Sequence, residues 1–166
     1  MTPVFEDWAA FNTAVAGAGA ALGGLLIVAL SVNIKQIAES RGLAARAGAS
    51  IAALILGVAL CCLALIPGQD TVGFGVQVAA GLIPCAVVAV LAIRAIRRDH
   101  ERQGFHKYDA SNIVPFVVPL VFYLAGAVLL LGVSGTIGLV FVAVGTILAI
   151  LATVLFSWVA LVEILR

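Results

Sequence analysis

Charge is scarce in this chain. Eight acidic and nine basic side chains make up only 10% of its 166 residues, while 64% are hydrophobic. A water-soluble domain carries about 25% charged and about 45–50% apolar residues, so a soluble globule of this size has nowhere to hide so much apolar surface. Cysteine is also thin. Cys61, Cys62 and Cys85 all fall inside apolar stretches, where a free thiol packs as a small hydrophobe, and an adjacent pair with a distant third is no disulfide framework. No basic segment precedes the first apolar run, so that run does not read as a cleaved secretory signal. Residues 1–11 instead form a short acidic head with amphipathic aromatics: Phe5, Glu6, Asp7, Trp8 and Phe11.

The motifs of common chemistries are missing as well. There is no Ser-x-x-Lys, no His-Glu-x-x-His and no Gly-x-Ser-x-Gly. His100, Glu101 and His106 match neither a helical i,i+4 pair nor a familiar zinc spacing. Gly17-x-Gly19 and Gly73-x-Gly75 follow no strand and lie in apolar runs, which excludes a phosphate loop. The expectation is a protein that is not an enzyme and takes no cofactor or metal. With a net charge of +1 there is no general pull toward nucleic acid.

What the chain has is long apolar runs. A bilayer core about 30 Å thick needs roughly 20 apolar residues per helix. Five such runs fit, at about 12–33, 47–66, 72–93, 113–133 and 136–165, leaving loops at 34–46 and 94–112. The runs are continuous rather than alternating, which excludes a β-barrel. The predicted fold is all-α, a single transmembrane domain over 1–166 built as a five-helix bundle. The fifth run would measure about 45 Å as a helix, so it must tilt, kink or emerge from the bilayer.

Orientation follows from the basic residues. Lys35, Arg41 and Arg46 lie in the first loop, Arg94, Arg97, Arg98, Arg102 and Lys107 in the second, and Arg166 at the C-terminus, which accounts for all nine. The opposite side carries Glu6, Asp7 and Asp70. The positive-inside rule puts the basic side in the cytoplasm, the N-terminus outside and the C-terminus inside. Trp8 and Trp158 then fall at the outer and inner interfaces. The basic stretch after the third run reads as that helix continuing into the cytoplasm, with Gly104 as a stop, and Arg94, Arg97, Arg98, Arg102 and Lys107 as a contact for anionic headgroups.

Two runs carry seams of small residues. In the first, Thr13, Gly17, Ala20, Gly24, Ile27 and Ser31 are spaced 4, 3, 4, 3, 4 along one face. The neighbouring face carries Asn12, Ala16, Gly19, Gly23, Leu26, Leu30 and Asn33. Two adjacent small faces predict a helix packed between two neighbours, held by close backbone approach and dispersion. In the fifth run the seam is Gly138, Val142, Gly145, Ala149, Ala152, Phe156, Val159 and Glu163. That places Glu163 toward the bundle, as a helix-end ion pair with Lys35 or Arg166, or as an ion site together with Asn33. Asn33 and Gln77 lie near opposite ends of their runs and are not natural partners. Pro84 falls mid-run and predicts a kink; Pro115 and Pro119 fall in the opening turns of the fourth helix, where proline is tolerated.

The text from Ala16 to Asn33, AGAGAALGGLLIVALSVN, resembles that of small multi-spanning membrane proteins of bacteria, actinobacteria in particular. The likeness covers that one span and the general layout. It implies a plasma-membrane location and a non-enzymatic role, and supplies no catalytic residue. Two functional expectations follow. One is an accessory or scaffold subunit that binds another membrane protein. The other is a homo-oligomeric channel or small transporter with Glu163 and Asn33 near its pathway.

Overall fold

The protein, as a computed structural model, is described over residues 3–32, 34, 41–103, 109–132 and 135–163, with side chains at all of these except 3, 41, 99–103, 109–112 and 159–163. Every regular element among them is helical: α1 (Pro3–Asp7), α2 (Ala9–Val32), α3 (Arg41–Ala64), α4 (Thr71–Gln103), α5 (Asp109–Gly132) and α6 (Gly135–Glu163). Helices α2 to α6 are each long and apolar enough to cross a membrane. The protein is an integral membrane helical bundle of five spanning helices.

Helices α3, α4, α5 and α6 run up and down as a four-helix bundle, each against the next, with α6 closing back on α3. Helix α2 lies on the rim, mainly against α3 and less on α6. Burial follows that plan. In α2, 11% of the apolar stretch is buried, against 56% in α3 and 50% in α6. The outward faces stay apolar, with Ile83, Leu124, Val128 and Leu155 all exposed, as lipid contact requires.

The helix ends depart from the expected boundaries in instructive ways. Helix α3 begins at Arg41, so Arg41 and Arg46 belong to the helix and not to a loop. The guanidinium of Arg46 sits 5.7 Å from the centre of the Phe156 ring, which lets a charged residue ride on the bundle's apolar end. Helix α4, by contrast, runs on to Gln103 as the reading of its basic stretch expects. Helix α5 starts at Asp109, which moves Pro115 and Pro119 from the opening turns into the helix interior. Each proline there leaves the carbonyl four residues earlier without its helical donor.

One turn is built by chemistry that the sequence announces. Gly68 has a φ of +82°, the left-handed conformation glycine adopts at no cost, and it closes the α3–α4 hairpin. Asp70 then caps α4, its Oδ2 accepting the Gly73 amide at 3.0 Å. The end of the bundle at this turn is called the Asp70 end below, and the opposite one the arginine end.

Helix α1 is a short cap across the Asp70 end. Phe5 is completely buried and meets Phe74 edge-on at 5.5 Å, while Val4 and Trp8 pack against the same core.

Candidate functional site

Few groups inside an apolar bundle can carry chemistry, so each polar side chain there is worth placing. Thr146 of α6 donates to the Val142 carbonyl at 2.9 Å and accepts from the Tyr123 hydroxyl of α5 at 3.2 Å. Gly57 of α3 makes room for this pair: a Cβ there would lie 2.6 Å from the tyrosine oxygen and 3.0 Å from the Thr146 methyl. Two turns along α6, Thr153 bonds to Ala149 at 2.8 Å and approaches the Ser50 carbonyl of α3 at 3.3 Å. Ser157 donates to Thr153 at 2.8 Å. Thr146, Thr153 and Ser157 thus form a polar row on α6 facing α3. Each hydroxyl is met by its own helix, as serine and threonine commonly are in spanning helices.

Asn12 differs from these. It is 7% exposed, and its carboxamide has no hydrogen-bond partner among the described residues. It lines a small cavity of about 10 Å³ near the Asp70 end, together with Trp8, Cys61, Phe74 and Thr146. Trp8, with Phe11 and Asn12 of α2, lines one side of it.

At the Asp70 end itself, Gln69 is buried and donates to Gln77 at 2.6 Å and to the Leu63 carbonyl at 3.3 Å. Gln77 therefore finds a partner eight residues away, across its own helix cap. Neither the burial of Gln69 nor this pairing follows from apolar spacing.

The seam residues separate sharply. Gly138 and Gly145 lie in the α5–α6 contact, Gly138 against Leu130 and the Gly126 carbonyl, Gly145 against the Tyr123 ring and the Pro119 carbonyl. From Gly138 to Phe156 the α6 seam is buried throughout. On α2 the face that packs is the one with Asn12, Gly19 and Leu26 buried and Gly23 half-buried; a Cβ at Gly19 would come within 2.6 Å of Val58. The other seam points outward. Thr13, Gly17, Ala20, Gly24, Ile27 and Ser31 are all exposed, and among the described residues nothing lies within 4 Å of a Cβ at Gly17 or Gly24. Helix α2 has the two neighbours expected, α3 and α6, but the face from Thr13 to Ser31 is not the one that meets them. A helix on the rim of a four-helix bundle has one groove to fill, and spacing alone does not say which face fills it.

The basic stretch lies on α4. Arg94, Arg97 and Arg98 are exposed, while Ala92 before them and Ile96 between them are buried. The side chains of Arg102 and Glu163 lie outside the described residues, as do Asn33, Lys35 and Lys107 altogether, and so do the side chains of His100, Glu101 and His106. No known family, curated protein or solved structure matches the chain.

Proposed function

We propose that the chain is a non-enzymatic subunit of a membrane complex, an accessory or scaffold protein that engages a larger membrane protein through helix α2. The observation that carries this is the outward seam. Six residues at coiled-coil spacing, four of them Gly, Ala or Ser, are all exposed, and among the described residues nothing lies close to Gly17 or Gly24. The α6 seam of the same spacing is buried against other helices. Lipid tails give small residues no advantage, whereas a second helix can approach a small face closely and gain dispersion contacts along its length. The partner is a spanning helix of another protein.

The bundle sits in the bacterial plasma membrane with its arginine end in the cytoplasm. There Arg94, Arg97 and Arg98 meet anionic headgroups. Orientation is read from single cysteines at Pro67 and Arg98 in a background with the native cysteines replaced by alanine. The first reacts with an impermeant reagent on intact cells and the second only after lysis.

The docking reading is tested by crosslinking. A photoreactive residue at Gly17 or Ala20 should trap one larger membrane protein in stoichiometric yield, and one at Ile83, on an exposed face of α4, should not. Crosslinks to a second copy of the chain, with a closed oligomer in native mass measurements, would replace it with the channel reading. The α6 polar row gives that reading its footing. Ion flux from liposomes holding the purified protein would then be the next measurement.

A further inference from the structure

Asn12 presents a physical problem that its surroundings solve. A carboxamide offers two N–H donors and an acceptor oxygen, and those groups are strongly unfavourable in an apolar interior when nothing meets them. Asn12 is 7% exposed and has no partner among the described residues. It lines a cavity of about 10 Å³, the space of about one water molecule, whose lining includes two residues with polar groups on two further helices. One is Thr146, whose hydroxyl spends its hydrogen on Val142 and one lone pair on Tyr123, leaving one lone pair open. The other is the Cys61 thiol of α3.

We infer that this cavity is the binding site of a single ordered water, held between the Asn12 carboxamide and Thr146 Oγ1, with the Cys61 thiol beside it. The water gives one hydrogen to the open lone pair of Thr146 and accepts one from the Asn12 Nδ2–H. Its ligand class is fixed by the site: neutral, of water size, and both donor and acceptor. The bridge joins α2 to the Thr146–Tyr123 pair and so to α5 and α6. It pins the rim helix, which has little buried surface of its own, to the bundle. Trp8 and Phe74 line the cavity, and Phe5 of the cap helix lies against Phe74. The inference is independent of what docks on the outer face of α2.

The test is radiolytic labelling of the full chain in lipid nanodiscs made up in heavy-oxygen water. An X-ray pulse makes hydroxyl radicals from ordered waters in place, and a cysteine beside one takes up heavy oxygen. Cys61 and Cys85 are both buried, at 3% and 9% exposed, but only Cys61 lines the cavity. Cys61 should be labelled faster than Cys85, and the excess should be lost in Asn12→Leu and in Thr146→Val. Radicals made in bulk solvent from photolysed peroxide should label both slowly. Equal labelling of Cys61 and Cys85 in the unaltered protein overturns the site, even where a variant does not fold. So does an excess at Cys61 that survives both substitutions, or one that bulk radicals reproduce.

Discussion

Tyr123 and Thr146 hydrogen-bond at 3.2 Å across the α5–α6 contact, and Gly57 of a third helix leaves the gap in which they meet. Three spanning helices therefore share one small polar junction near the middle of the bundle. Removing the hydroxyl in Tyr123→Phe keeps the ring and loses the bond, which inside membranes is worth about 0.6 kcal/mol on average. Filling the gap with Gly57→Val forces side chains of two helices apart, at a cost of about 1–3 kcal/mol. The expected order in thermal unfolding in detergent is a small loss for Tyr123→Phe and a larger one for Gly57→Val. Equal losses would mean that the glycine is not what seats the pair.

The glycines of the two seams make a second contrast. Gly138→Leu drives a branched side chain into the Gly126 carbonyl and Leu130, where a Cβ alone would come within 2.6 Å of the leucine. The loss there should reach about 3 kcal/mol or more. Gly17→Leu and Gly24→Leu point into lipid and replace poor helix formers with a good one, so the isolated protein should keep its stability or gain up to about 1 kcal/mol. Yet the same two changes should abolish capture of the partner by α2. A loss of both stability and capture would show instead that this face packs within the chain.

How far these features could be read beforehand depends on what fixes them. The spans are legible because each apolar run states its own solvent. The start of α3 at Arg41 is not, because Arg46 is held by the Phe156 ring, 110 residues away in sequence. Helix α1 forms where Phe5 has Phe74 to dock against, and no local pattern in five residues announces that. On α2 both faces are small and evenly spaced, so sequence offers two seams and geometry uses one. Gln69 looks like a turn residue, and the left-handed Gly68 is what turns it back over Gln77. Apolar runs are local information; caps, pairs and the choice of face depend on distant partners.

That glutamine pair gives a third prediction. In Gln77→Leu, the amide of Gln69 keeps the Leu63 carbonyl at 3.3 Å and loses its short bond. A buried polar group left partly unmet costs about 1–3 kcal/mol. Replacing both with leucine should recover part of that loss, since neither carboxamide is then left without the other. A double-mutant cycle by chemical denaturation reads the coupling, and a value of zero would remove the pair from the account of the hairpin.

The cap helix gives the last. Phe5 is fully buried, so α1 is held by that ring and by Val4 and Trp8 beside it. Phe5→Ala removes the anchor, and a buried phenylalanine truncated to alanine costs about 3–5 kcal/mol. A five-residue helix has little stability of its own to set against such a loss. The spans below it keep their contacts, so the damage should stay local. Amide exchange should quicken over residues 3–8 while α3 and α6 remain protected, and the melting temperature should move little. Phe5→Leu, which refills most of the volume, should restore slow exchange. Quickened exchange throughout the bundle would instead make α1 a structural member of the core, and the cap would no longer be separable from the fold it covers.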